Sequence, residues 1–225
     1  YGRSTVFIPN GVTRPDLVEP NRITDLYKLE KNKYILFLGR LVPEKGVHYL
    51  IKAYKALKTN KKLVIAGASS DTSEYERALL ELADHDPDIV FTGFVQGRTL
   101  EELYSNAYVY VLPSDLEGMP LSLLEAMSYG NCCLTSDIPE CAKVTGAYGL
   151  TFRKGDISDL KDRLQQLCDD TNMTEFYKKH AADYICSRYN WDDVTNRTLQ
   201  LYGVNEAADP SAPMEGKAYE GAACK

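Results

Sequence analysis

Short apolar runs alternate with amphipathic stretches along most of this chain. Ile35-Leu36-Phe37-Leu38 is an apolar run of strand length that ends at Gly39. After it, Val47, Leu50, Ile51, Tyr54 and Leu57 recur at helical spacing. The alternation continues, predicting strands near 34–38, 62–66, 89–92, 107–112, 131–135 and 149–152. Helices are predicted near 46–58, 73–84, 98–105, 120–129, 158–169, 173–187 and 191–202. Strands separated by helices in this way imply an α/β domain, its sheet parallel and covered by helices on both faces. Gly67 and Gly93 each close an apolar run at the carboxyl edge of such a sheet, where open α/β sheets bind ligands. Taken singly, either glycine is equally an ordinary strand-to-loop turn.

Candidate chemistry concentrates in Pro113-Ser114-Asp115-Leu116-Glu117-Gly118-Met119-Pro120-Leu121-Ser122-Leu123-Leu124-Glu125-Ala126-Met127. Pro120 suits a first helical position, where its missing N–H costs nothing, and Gly118 permits a tight loop before it. A helix is therefore expected to start near Pro120. At about 1.5 Å per residue, Glu125 stands about 7.5 Å up that helix, while Glu117 stays on the loop beneath its start. Two carboxylates then bracket the free N–H groups of a helix N-terminus, which favour a phosphate. Each carboxylate can also accept two hydrogen bonds from a vicinal diol. A diphosphate flanked by ribose on one side and a sugar on the other fits that spacing. Two other readings stay open: a chance pair of glutamates on a helical segment, or the acid and nucleophile of a glycoside hydrolase. The position across a loop and helix start, with one tryptophan in the chain to line a sugar cleft, counts against the hydrolase.

The whole string from Glu117-Gly118-Met119-Pro120-Leu121 to Glu125-Ala126-Met127 resembles the signature of the retaining glycosyltransferase family 4, of GT-B fold. Other segments agree in order. Ile8-Pro9-Asn10-Gly11-Val12 resembles the strand and turn that open the C-terminal domain of that family, and the stretch Phe37 to Gly46 resembles its phosphate-contacting loop. Leu63-Val64-Ile65-Ala66-Gly67 is a strand ending in glycine, Phe91-Thr92-Gly93-Phe94-Val95 resembles the segment that meets the base, and Thr135 to Glu140 the stretch after the fifth strand. The resemblance covers residues 6–202. One departure follows Gly67, where many members carry a second glycine or an acidic residue and this chain has Ala68-Ser69-Ser70-Asp71.

The resemblance implies a Rossmann-like three-layer α/β/α domain with a mostly parallel sheet, the C-terminal half of a GT-B fold, over residues 1–202. It implies that the N-terminal acceptor domain is absent from this chain. The activity it implies is transfer of a glycosyl group from a nucleoside diphosphate sugar to an acceptor hydroxyl, with retention of configuration. Uridine is the commonest donor base in the family and is expected first, with guanosine and mannose second. Lipid-linked saccharides, capsule or other cell-surface polysaccharide precursors, or a small metabolite, are the expected acceptors through the missing domain.

Within the site so implied, Gly39, Arg40 and Lys45 meet the pyrophosphate. Two carboxylates around a diphosphate need cations, which Arg40 and Lys45 supply by charge-assisted hydrogen bonds; alone, both read as solvated surface charges. Gly118, Met119, Pro120 and Leu121 are expected to bind the donor, with the amides around Met119 to Leu121 facing the phosphates, and Phe94 and Val95 are expected at the base. Glu125 is assigned to the ribose hydroxyls and Glu117 to those of the transferred sugar, where it also faces positive charge at the anomeric carbon. Arg40, Lys45 and Glu117 are thus the catalytic candidates. No Asp-x-Asp motif stands where a metal-dependent transferase needs one, so no cofactor or metal is expected. Two further readings are a binding or regulatory module that uses the site without transfer, and a GT-B-like hydrolase or epimerase. The latter lacks a histidine at a strand end.

Composition agrees with one compact domain: 225 residues, 44% hydrophobic and 10% aromatic, are ample for one core. A net charge of −6 and the lack of a reading motif argue against nucleic acid. The only basic cluster, Lys58-Thr59-Asn60-Lys61-Lys62, reads as a solvated loop before a strand. His48, His85 and His180 have no metal-ligand spacing. Six cysteines without a Cys-x-x-Cys pairing suit a reducing cytosol, and Cys132 and Cys133 read as small hydrophobes in a buried strand. No apolar stretch reaches 18 residues, so a cytoplasmic protein is expected, with peripheral association at the inner membrane face left to the missing domain of the full-length enzyme. Trp191, Val194, Leu199 and Leu201 are expected to pack back on the domain, Trp191 as a core residue. Residues 203–225 read as a disordered tail.

Overall fold

The computed structural model describes residues 5–69 and 73–203. Six strands, β1 (Tyr34–Leu38), β2 (Lys62–Ala66), β3 (Ile89–Gly93), β4 (Val109–Leu112), β5 (Cys132–Ser136) and β6 (Leu150–Phe152), form one sheet. Every paired strand is parallel, in the order β3-β2-β1-β4-β5-β6. The helices are α1 (Arg22–Tyr27), α2 (Val47–Lys55), α3 (Ser73–Ala83), α4 (Arg98–Asn106), α5 (Leu121–Ser128), α6 (Pro139–Thr145), α7 (Ile157–Asp169), α8 (Thr171–Arg188) and α9 (Trp191–Leu201). A 3-10 turn at Pro43–Lys45 leads into α2. Helix α2 packs on α3 and α7, and α5 packs on α6 and α8, which sandwiches the sheet between two helical layers.

The apolar runs become strands because both of their faces are covered. Tyr34, Ile35, Leu36 and Phe37 are fully buried, as are Val109 to Leu112 and Cys132 to Leu134, so these central strands carry no polar alternation. On α2 the residues flagged by helical spacing, Val47, Leu50, Ile51 and Tyr54, are buried, and Ala53 with them. Cys132 and Cys133 are buried in β5 as expected, and burial pushes both thiols upward, Cys132 to about 12.

The strand order places a switch point between β1 and β4. Chain connections from β1 run outward through β2 to β3, then return to the far side of β1 with β4, so the loops after β1 and β4 leave the sheet in opposite directions. Pairing between β1 and β4 spans only Ile35 with Val109 and Leu36 with Tyr110, against five pairs between β1 and β2. Ligands bind at such a crevice in open α/β sheets.

Three expectations are corrected, and two short helices lie outside them. Residues 8–12 form no strand; the segment runs alongside the end of α8, where the Val12 amide donates to Tyr189 O at 2.6 Å. Helices α1 and α6, of six and seven residues, are too short for a periodicity to show. Helix α5 starts one residue later than expected: Pro120 has φ −77° and ψ 79°, outside the helical region, and acts as the N-cap, its carbonyl accepting from Leu123 and Leu124. Trp191 is not a core residue: it is 50% exposed on α9, a helix with no buried residue, and its ring lies against Gly11, where even a Cβ would come within 2.6 Å. The tail expected over 203–225 lies outside the described residues from 204 onward, as do Ser70 and Asp71 in the departure after Gly67.

Candidate functional site

Three glycines shape the carboxyl edge on one side of the crevice. Gly67 sits at φ +148°, and a Cβ there would fall 1.8 Å from Gly39 O. The backbones of the β1 and β2 ends therefore touch, with the Gly39 amide donating to Ala66 O and the Gly67 amide to Gly93 O, at 3.0 and 2.9 Å. These bonds carry β1 and β2 one residue past their ends, Gly39 against β2 and Gly67 against the last residue of β3.

The loop after β1 then turns onto the loop after β4. Gly46 takes φ +67° and ends the 3-10 turn, and a Cβ there would lie 2.1 Å from Pro113 O. The Asp115 amide donates to Glu44 O at 2.8 Å, and the Tyr49 hydroxyl donates to Asp115 Oδ2 at 3.1 Å. Locked together in this way, the loops bring Lys45 Nζ to 2.6 Å from Glu117 Oε1. The pair is largely buried, the Lys45 side chain 16% and the Glu117 side chain 5% exposed. Ser114, on the same loop, donates its hydroxyl to the same Oε1 at 2.7 Å, and Ser136 at the end of β5 donates to Ser114 O. Glu117 Oε2 has no partner among the described residues. Arg40 is exposed on the same loop as Lys45, without a side-chain partner among the described residues.

Helix α5 rises from this junction. Pro120 has no N–H, and the Leu121 amide, expected at the phosphates, already donates to Met119 O at 2.9 Å. The Gly118 and Met119 amides have no partner among the described residues. Glu125 is exposed on α5, and Tyr104 of α4 reaches it, with the phenol hydroxyl 3.0 Å from Glu125 Oε2. Tyr110 fills the gap beneath the first turn of α5, its hydroxyl 2.8 Å from Ser122 Oγ and 3.3 Å from Leu38 O.

The structure thus gathers Gly39, Arg40, Lys45, Glu117, Gly118, Met119, Pro120, Leu121 and Glu125 around the switch point. Phe94 and Val95 follow the end of β3, farther along the same edge; Phe94 is 73% exposed and Val95 half-buried against the core. Sequence reasoning missed Ser114, Tyr104 and Tyr110, since a hydroxyl in a loop, a tyrosine on an amphipathic helix and a tyrosine in an apolar strand carry no local signal of what they touch. Among the described residues, no group of three His, Cys, Asp or Glu side chains is placed to hold a metal ion, and no helix is long and apolar enough to cross a membrane.

Comparison with known proteins agrees with this picture. The family model for glycosyl transferases group 1 matches residues 20–184. An uncharacterized glycosyltransferase of Methanocaldococcus jannaschii is 31% identical over 179 residues, 78% of this chain and 46% of that protein. The O-antigen chain mannosyltransferase B of Escherichia coli is 26% identical over 180 residues, 78% of this chain and 47% of its own length. Among solved structures, the sucrose-phosphate synthase of Thermosynechococcus elongatus superposes with a TM-score of 0.76 at 23% identity, over 87% of this chain and 51% of its own. The Anabaena protein HepE, in complex with UDP and glucose, superposes with a TM-score of 0.74 at 17% identity, over 81% of this chain and 51% of its own. This chain therefore spans about half the length of the proteins it matches, and its Rossmann-like fold is that of one half of a GT-B glycosyltransferase. Since the matched segment runs from just before α1 into α8 and holds both loops of the crevice, the chain belongs to the family of glycosyl transferases group 1.

Proposed function

We propose that this chain is the donor-binding half of a retaining glycosyltransferase, taking a nucleoside diphosphate sugar and passing the sugar to an acceptor hydroxyl in glycan or cell-surface polysaccharide synthesis. The observation that carries the reading is the meeting of the β1 and β4 loops at the switch point, with a lysine and a glutamate face to face. The pyrophosphate lies against Arg40, Lys45 and the open amides of Gly118 and Met119, which stabilise the charge that develops as the sugar leaves. For this, Lys45 exchanges part of its contact with Glu117 for a phosphate oxygen. Glu117 turns its open Oε2 to the sugar, Glu125 takes the ribose diol, and Phe94 and Val95 flank the base. The acceptor and the rest of the reaction centre belong to a second domain, outside this chain.

UDP is the favoured donor nucleotide. HepE was crystallised with UDP and UDP-glucose, a likeness of fold alone, and the E. coli relative, a mannosyltransferase, keeps GDP-mannose as the second choice. No metal takes part in donor binding. Calorimetric titration with UDP, GDP and ADP in the presence of EDTA tests all three points. Saturable binding of UDP supports the reading, preference for GDP moves the donor to the second choice, and binding that appears only when magnesium or manganese replaces EDTA removes metal independence. No binding under either condition overturns the assignment of the donor site to this chain alone.

A further inference from the structure

Glu125 presents a puzzle of position. It is an exposed glutamate on a helix surface, a side chain with three rotatable bonds that solvent leaves free to sample many rotamers. Recognition of a vicinal diol needs the opposite, a carboxylate held in one plane so that two oxygens meet two hydroxyls together. The neighbouring helix supplies such a hold. Tyr104 comes from α4, 1% exposed, and its hydroxyl lies 3.0 Å from Glu125 Oε2. The ring is itself immobilised: it stacks on Tyr129 at 5.1 Å and 21°, and lies 6.1 Å from the Tyr110 ring. Its backbone is pinned too, by Asn131 Nδ2 donating to Tyr104 O at 2.9 Å.

We propose that Tyr104 is the positioning residue for ribose recognition, its buried hydroxyl fixing the Glu125 carboxylate so that the site distinguishes a nucleotide with a ribose diol from one without it. The inference rests on the reading of Glu125 given above. It does not require Tyr104 to touch the ligand. The phenol has one proton to give and two acceptors in reach, Glu125 Oε2 and Ser122 O at 3.2 Å. The carboxylate is the stronger acceptor because it is charged. With Oε2 so engaged, the exposed carboxylate still has Oε1 and a lone pair of Oε2 with which to accept. Burial first, then Tyr110 and the Glu125 charge, push the Tyr104 phenol well above its ordinary value, so it stays a donor across the physiological range. The arrangement also ties specificity to the reach of Tyr104 from α4 to α5, because Ser122 and Glu125 both belong to that helix.

The test is titration of the 225-residue chain with UDP, or GDP where the experiment above selects it, and with the matching 2′,3′-dideoxy nucleotide. Wild type is expected to prefer the ribonucleotide by at least about tenfold, and Glu125→Ala to lose that preference. Tyr104→Phe keeps the ring and removes only the hydroxyl. It should weaken the ribonucleotide by about three- to tenfold while leaving the dideoxy form within about twofold. In the Glu125→Ala background, the same change should have no further effect on either ligand. Thermal unfolding is followed in parallel. A merely structural role lowers the Tm and weakens both nucleotides equally, and that result overturns the proposal. So does a Tyr104→Phe chain that keeps the wild-type preference, with the reading of Glu125 left intact. Should wild type bind neither nucleotide, or Glu125→Ala keep the preference, the reading of the site falls and this inference falls with it.

Discussion

Glu117 spends one carboxylate oxygen on two donors, Lys45 at 2.6 Å and Ser114 at 2.7 Å, and keeps the other open. With so little solvent to compensate, removing Lys45 strands a buried charge. Lys45→Ala should destabilise the fold by about 3 kcal/mol in denaturant unfolding. The double variant Lys45→Ala/Glu117→Ala should recover much of that loss, because the stranded charge goes with it. The two glutamates separate in binding. Glu125→Ala should weaken free nucleotide and nucleotide sugar alike, by about 1.5–3 kcal/mol, through lost charge-assisted bonds to ribose. Glu117→Ala should spare the free nucleotide and weaken only the nucleotide sugar. Equal losses for both ligands at both positions would sink the division of roles.

Elements hold the site through backbone as much as through side chains. Gly46 joins the 3-10 turn to α2 at φ +67°, with Pro113 O where a Cβ would be. Gly46→Ala should cost at least about 1–3 kcal/mol from the strained φ alone and should separate the two loops. The readout is a lower Tm together with weaker nucleotide binding. At the far end of the sheet, Glu102 of α4 gathers the segment before β1, accepting from the Asn21 and Ile23 amides at 2.9 and 3.1 Å, with Arg98 Nε 3.5 Å away. Burial pushes this carboxyl up, but the amides and the guanidinium outweigh it and hold it below its ordinary value of 4.5. The unfolded chain then binds this proton more readily than the folded one. Stability from Glu102 is complete above the ordinary value and drains away as pH falls through the lower, folded one. Denaturant titrations below pH 4.5 should show that slope, and Glu102→Gln should flatten it.

At the scale of the molecule, the chain spans about half the length of the relatives named above. Under the proposed function, this half binds nucleotide but transfers no sugar by itself. Mixing it with a separately produced acceptor domain of the same enzyme should restore transfer from a radiolabelled nucleotide sugar, and transfer by this chain alone would refute the division. Two features suit an interdomain wall. Helix α9 buries none of its residues, and Phe7, Leu116, Leu121 and Trp191 are each at least half exposed.

Much of this was legible in one dimension, because it is governed by short-range rules. Apolar runs followed by helical periodicity specify strand-helix units, and a parallel sheet follows from their alternation, so the order of the strands and longer helices and the glycine at the end of β1 could be read directly. The Glu117 to Glu125 string, likewise, marks a loop entering a helix. The tertiary structure alone decided which loops meet. Lys45 and Glu117 stand 72 positions apart, and Tyr104 and Glu125 stand 21 apart on different helices; no periodicity links them, and the switch in strand order makes them neighbours. Pro120 and Trp191 show the same limit on a smaller scale. Whether a proline caps or begins a helix depends on its ψ, and whether a tryptophan is core depends on what covers it, and neither is set by the residues adjacent in the chain.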